Sequence, residues 1–216
     1  MKYTHCIWDF NGTVLDDMTA GIRAVNDLLI ERGLTPISDI EQYRKVFGFP
    51  IKNYYERLGF DFSKEPYDVI AHKWVALYLE YVKESRLCDG VEALMQVLSE
   101  RGIEQVLLSA TEQNMLNSQV KALGLEKQFS EVLGMDDIYA VSKLRRAREW
   151  RERNREAGAF FVGDTEHDCE AAEAMGIDCF LVAIGHQPKE RLIQTGAKVF
   201  DSLYELCEYL TESELI

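Results

Sequence analysis

Four separate segments of this 216-residue chain carry side chains of types that handle anions and cations: Asp9 in DFNGT, Ser109 in VLLSAT, Lys143, and the pair Asp164 and Asp168 in GDTEHD. Carboxylates held together raise one another's pKa unless a cation neutralises them. An all-oxygen donor set with few protein ligands suits magnesium, which keeps several of its waters. The tight loop Asn11-Gly12-Thr13 adds backbone N–H groups of the kind that cradle phosphate oxygens. These residue types suggest chemistry on a phosphate group beside a divalent cation.

Such chemistry requires the four segments to meet. Short β-like runs at Thr4–Trp8, Gln105–Leu108, Val132–Leu133, Ala159–Val162, Cys179–Val182 and Val199–Phe200 alternate with helical patterns. Val91, Leu94, Met95 and Leu98 recur at helical spacing before Gly102, Leu116, Val120 and Leu123 before Gly124, and Cys169, Ala172 and Met175 before Gly176. The alternation predicts an α/β fold, a Rossmann-like parallel sheet with helices on both faces. From about Asp16 to Cys88 it breaks. Met18, Ile22, Val25 and Leu29 mark one helix, and Ser38-Asp39-Ile40-Glu41 reads as a capping box opening a second. Pro50 starts a third that Gly59 ends, and Ile70, Trp74, Leu77 and Tyr81 mark a fourth. Residues 16–88 are therefore expected to form an all-helical cap inserted into a core of residues 1–15 and 89–216. Ligands of open parallel sheets bind beyond the carboxyl ends of the strands. Asp9, Ser109 and Asp164 with Asp168 follow strands, Lys143 opens a helix, and all should converge on one edge.

Composition narrows the partners. Apolar residues make up 47% of the chain, enough for a substantial core, and the net charge is −13. That charge argues against nucleic acid or an anionic membrane as the main partner, because both demand a basic surface. It leaves room for a small phosphorylated metabolite in a locally positive pocket. Five cysteines without a C-x-x-C pair indicate neither a disulfide framework nor a zinc site. With no run approaching ~18 apolar residues and a start too quickly polar for a signal peptide, a cytoplasmic monomer or homodimer is expected.

The sequence resembles the haloacid dehalogenase superfamily, in its phosphoglycolate-phosphatase-like branch, over nearly the whole chain. The resemblance rests on DFNGT, the helical insert after the first strand, the strand-end Ser109, Lys143 and the GDTEHD loop. It implies a magnesium-dependent phosphatase, a phosphoric monoester hydrolase working through an aspartyl phosphate on Asp9. By the same resemblance Asp9, Asp164 and the backbone carbonyl of Asn11 hold Mg2+, with Asp168 on the ion or just behind it. Asn11, Gly12, Ser109 and Ala110 would contact phosphate, and Lys143 would balance charge on it and on Asp9. Lys52, in the cap turn Phe49-Pro50-Ile51-Lys52, is a candidate substrate contact.

Asn11 departs from the family pattern, which has an aspartate there to protonate the leaving oxygen and activate water. An amide neither gives nor takes a proton at ordinary pH, and general acid–base catalysis is worth ~10²–10⁴-fold. The amide could still donate a hydrogen bond to the leaving oxygen. Three readings stay open: a phosphatase whose substrate has a good leaving group or whose proton comes from water or the cap, a regulatory protein that binds phosphate without turnover, and a phosphonate hydrolase using Lys45 or Lys52 to form an imine. Glu166 and His167 are expected to be solvated. Tyr54, Tyr55, Tyr67, Trp74, Tyr78 and Tyr81 are expected to be cap core, and His5, His72 and His186 show no ligand spacing.

Overall fold

A computed structural model describes residues 2–139 and 143–216. In chain order the elements are β1 (His5–Trp8), β2 (Leu15–Asp16), α1 (Met18–Glu31), α2 (Ile40–Val46), α3 (Ile51–Arg57), α4 (Tyr67–Tyr81) and β3 (Arg86–Leu87). Then come α5 (Val91–Glu100), β4 (Glu104–Glu112), α6 (Gln113–Ala122), β5 (Glu131–Met135), α7 (Leu144–Arg153) and β6 (Ala159–Gly163). The chain closes with α8 (Glu166–Met175), β7 (Asp178–Val182), α9 (Lys189–Ile193), β8 (Lys198–Phe200) and α10 (Leu203–Glu212). Six strands pair in the order β5-β4-β1-β6-β7-β8, every neighbour parallel.

The central strands are apolar on both faces, as a sheet covered by helices on both sides requires. Cys6 and Trp8 of β1 enter one core with Phe160 and Val162 of β6, closed by Val91, Leu94 and Leu98 of α5 and by Leu203, Leu206 and Leu210 of α10. Ile7 points the other way, to Val106 and Leu108 of β4, Phe161 of β6, and Ala147, Trp150, Ala171 and Met175 from α7 and α8. This alternation pins the register, because a slip by one residue would exchange the two cores. The α/β architecture expected from the sequence is present.

Helices α1 to α4 pack around an apolar cluster of their own that includes Val25, Leu28, Leu29, Tyr43, Tyr54 and Ile70. The segment is not helical throughout: β2 and β3 form a two-stranded antiparallel ribbon, Leu15 opposite Leu87 and Asp16 opposite Arg86, where it leaves and rejoins the sheet. Runs of two residues leave no periodicity to read. The second helix starts one residue later than Ser38 suggests. Asp39 is its cap, accepting from the Gln42 N–H at 2.7 Å, while the Ser38 N–H donates to the Gln42 side chain.

Strand β4 corrects a second boundary. Ser109 does not end it, because the strand continues to Glu112. Its pairing with β5 moves from Leu108 opposite Leu133 to Glu112 opposite Met135, four steps on one strand against two on the other. Ser109, Ala110 and Thr111 occupy that bulge. Bulges re-aim side chains next to functional sites, and here the deviation turns the serine and threonine hydroxyls toward Asn11.

Candidate active site

The carboxyl ends of β1, β4 and β6 deliver Asp9, the Ser109 bulge and Asp164 to one edge of the sheet. The N-terminus of α8 adds Asp168, and Lys143 arrives as the residue that opens α7. All are buried: Asp164 and Asp168 are fully enclosed, Lys143 is 2% exposed and Asp9 is 7% exposed. One oxygen each from Asp9, Asp164 and Asp168 lies within 4.8 Å of the others.

Such a cluster is unfavourable without positive charge. Burial first, then repulsion from Asp168, lifts the Asp9 carboxyl well above its ordinary pKa. Burial raises Asp164 to about 6. Lys143 supplies part of the missing charge through Nζ, 2.6 Å from Asp9 Oδ1 and also bonded to Asp168 Oδ1. Burial alone would lower the lysine pKa, but the two carboxylates outweigh it and keep the ammonium charged. One lysine facing three carboxylates leaves a deficit that a hard divalent cation with oxygen ligands would fill, so the donor set fits magnesium.

The three aspartates are not equivalent. Asp168 Oδ2 accepts from the Asp164 N–H (3.0 Å), the Thr165 N–H (2.9 Å) and the Thr165 hydroxyl (2.8 Å), and its Oδ1 holds Lys143. Both its oxygens are engaged in fixing the β6–α8 turn and the lysine. Asp164 Oδ1 accepts from Thr13 Oγ1 at 3.2 Å and its Oδ2 from the His186 N–H at 2.5 Å. Gly12 is left-handed, with φ of 78°, and a Cβ there would sit 2.5 Å from both Asp164 Oδ2 and His186 Cδ2. Only glycine lets the loop approach this closely. The Gly12 N–H donates to Leu15 O (2.8 Å) and Asp17 Oδ1 (3.1 Å), so it is engaged within the loop.

The Asn11 amide is bonded at both ends. Its Nδ2 donates to Asp17 Oδ2 (2.8 Å) and Tyr78 Oη (3.0 Å), and its Oδ1 accepts from Thr111 Oγ1 (2.7 Å) and Ser109 Oγ (3.5 Å). Both amide hydrogens therefore have acceptors in the protein, which removes the expected hydrogen bond to a leaving oxygen. Asp17 was not foreseen as a site residue. It is 3% exposed, bonded also by Tyr78 Oη (2.8 Å), and lies 3.3 Å from His186 Nε2, whose Nδ1 is 2.6 Å from Tyr43 Oη. Burial would raise the Asp17 pKa, but His186 and these hydrogen bonds bring it below the ordinary value. Burial opposes charge on His186 too, yet Asp17 and the neighbouring carboxylates raise it to about 9. His186 lies beyond the end of β7, so applying the strand-end rule to every strand would have found it.

A cavity of about 160 Å³ opens over this floor, bounded by α3, α4, the Phe47–Phe49 segment and the start of α6. Tyr54, Tyr55, Tyr67, Trp74 and Tyr78 line it as well as packing in the cap, so all of the expected core aromatics except Tyr81 have both roles. Lys143, Ser109 and Ala110 also line it. Lys52 is not brought to it: the side chain is exposed, with Nζ 5.4 Å from the Phe62 ring centroid. Lys45 is likewise absent from the described lining. His167 is buried rather than solvated, its ring tilted against Phe49 with centroids 4.4 Å apart, and burial lowers its pKa to about 4. Glu166 is half-buried and paired with Arg191. The Phe49 ring and the Arg191 side chain shield this acidic loop.

A family profile described as haloacid dehalogenase-like hydrolase matches residues 6–182. A phosphoglycolate phosphatase of Rhodobacter capsulatus is 25% identical over 186 residues, covering 84% of each chain. Among solved structures, a predicted phosphatase from Clostridium acetobutylicum superposes with a TM-score of 0.78 at 22% identity, over 97% of this chain and 99% of that one. Protein Tyrosine Kinase A of Mycobacterium tuberculosis reaches a TM-score of 0.80 at 20% identity, over 96% and 98% of the two chains. These structural likenesses establish the fold alone. The chain belongs to the haloacid dehalogenase-like hydrolases, in a phosphoglycolate-phosphatase-like branch, and is an enzyme of the phosphoric monoester hydrolase class.

Proposed function

We propose that the protein is a magnesium-dependent phosphatase of a small phosphorylated metabolite, acting through a phosphoryl group carried on Asp9, with residues 16–88 as the cap over the site. The observation that carries this reading is the buried Asp9–Lys143–Asp168 arrangement beside Asp164. A protein that only bound phosphate would have no need of an enclosed carboxylate held by a lysine at the strand end.

Asp9, Asp164 and the Asn11 carbonyl would hold the ion, and Asp168 would stand behind it, positioning Lys143. Bound there, magnesium would offset negative charge on the transferring phosphoryl oxygens. The protein's own residues do the rest. Lys143, bonded to Asp9 Oδ1, fixes the rotation of that carboxylate. Asp9 attacks phosphorus, the bond from phosphorus to the leaving oxygen breaks, and water then hydrolyses the acyl phosphate. Lys143, Ser109 and the Ala110 backbone stabilise the phosphoryl oxygens. Asn11 donates no proton to the leaving oxygen, which favours substrates that leave readily as anions.

The five thiols are free. Among the described residues no helix is long and apolar enough to cross a membrane. The test is phosphate release over a panel of phosphate esters, with magnesium and with chelator. The reading expects release that requires magnesium and disappears in Asp9→Asn. Release that survives chelation, or survives Asp9→Asn, would overturn it.

A further inference from the structure

We propose that the leaving group this site accepts is a single uncharged aromatic ring, so that the substrate is an aryl phosphate monoester. This deepens the phosphatase reading and rests on it for turnover. The first ground is the character of the cavity wall. Above Asp9 the space of about 160 Å³ is faced by Phe49, Tyr55, Tyr67, Trp74, Val75 and Met115. An apolar cavity of ~150 Å³ accommodates a benzene molecule; the 160 Å³ here also takes in the floor beside Asp9, Ser109 and Lys143, so next to a phosphoryl group the space admits a leaving group no larger than one ring.

The second ground is charge. Among the described lining residues, Lys143 is the one lysine and there is no arginine, and its ammonium is held at the floor by Asp9 and Asp168. Ala140, Val141 and Ser142, which precede it in sequence, carry no charge. Two arginines come close but are engaged. Arg44 donates to Ile184 O and Gly185 O, both at 2.8 Å, and Arg191 to Phe47 O at 2.9 Å and to Glu166. The other charged side chains of the wall above the phosphate position include Asp17 and Glu112, both acidic, and His186, whose two ring nitrogens are engaged by Asp17 at 3.3 Å and by Tyr43 at 2.6 Å. A substrate whose leaving group carried a carboxylate or a second phosphate would bury that charge without a partner, which is strongly unfavourable.

The third ground is Asn11, whose amide hydrogens go to Asp17 and Tyr78. With no acid at that position, the electron pair of the broken P–O bond leaves on the substrate oxygen, and solvent supplies the proton afterwards. A phenol ionises near ~10, as tyrosine does, whereas water, and alcohols with it, lie near ~16. Phenolic esters thus need the missing acid less than alkyl esters do.

The test measures binding and turnover separately, on the whole protein with magnesium. Calorimetry with the non-hydrolysable benzylphosphonate and phosphonoacetate reads the ligand class without chemistry. Benzylphosphonate is expected to bind ~10-fold tighter or more, the factor that burial of one ring's apolar surface provides. Val75→Arg, which places a cation in the wall, is expected to reverse the order. Turnover of phenyl phosphate is expected to exceed that of phosphoglycolate and alkyl phosphates in kcat/KM. Equal or tighter binding of phosphonoacetate, or no binding of benzylphosphonate, would overturn the proposal. So would preferred hydrolysis of phosphoglycolate, which leaves the phosphatase reading standing. Selective benzylphosphonate binding with no hydrolysis of any ester would support the ligand class and overturn the phosphatase reading instead.

Discussion

Asn11 Nδ2 donates a 2.8 Å hydrogen bond to Asp17 Oδ2, so the position where the family pattern has an acid is tied to a buried carboxylate six residues along the chain. That contact changes what Asn11→Asp would do. An aspartate at position 11 would face Asp17 across the same gap, and two carboxylates so close cannot both ionise. The single substitution is expected to lower stability by ~1–3 kcal/mol, since it replaces a hydrogen bond to a charged group with repulsion. It is expected to yield little gain on alkyl phosphates. Combined with Asp17→Asn it should recover stability, with a coupling of ~0.5–3 kcal/mol, and raise alkyl phosphate turnover by up to ~10²-fold. Denaturant melts and kcat/KM across this double-mutant cycle check both. An Asn11→Asp protein as stable as wild type would show that the Asn11–Asp17 bond does not matter.

Lys143 is the next test of the charge balance. Lys143→Met leaves Asp9 and Asp168 without their buried cation, and removing one partner of such a pair costs ~3–5 kcal/mol. Thermal melts with chelator are expected to fall by roughly 6–20 °C, at ~2–4 °C per kcal/mol for a chain of this size. Magnesium should restore part of that loss by supplying the missing charge. A Lys143→Met melt equal to wild type in chelator would mean that the aspartates are already neutral without the lysine.

Asp164 and Asp168 should separate in their response to magnesium. Saturating ion stabilises a protein that binds it by ~2.7 kcal/mol at a hundred times Kd. Asp164→Asn is expected to abolish the magnesium-induced rise in Tm. Asp168→Asn, whose engaged oxygens fix the turn and Lys143, should lower the melt in chelator while retaining a reduced rise. The reverse pattern would exchange the roles given to these two residues.

The sheet and the acidic cluster were legible because both leave local marks. Alternating β and helical runs locate the strands, and Asp9, Asp164 and Asp168 follow from their places at strand ends. The Tyr43–His186–Asp17 group left none. Its members lie 143 and 169 residues apart along the chain, and only the packing of α2 and the end of β7 onto the start of α1 brings them together. The cap aromatics were ambiguous for another reason. A helix that closes a cavity has one apolar stripe for both its core and its ligand wall, so Trp74 and Tyr78 show the same spacing in either role. Lys52 shows the opposite failure: a resemblance supplied its role, while the local helix α3 turns that side chain outward.

The central claim is that Asp9 carries the phosphoryl group. The direct measurement is acid-quenched turnover with magnesium and phenyl phosphate, followed by peptide mass mapping, with the Asn11-Gly12 peptide checked for deamidation. The account predicts a phosphoryl group on the Asp9 peptide of the wild type, lost on incubation at neutral pH and absent from Asp9→Asn. Steady phosphate release with no modification at Asp9, together with an Asp9→Asn protein that still turns over, would contradict it.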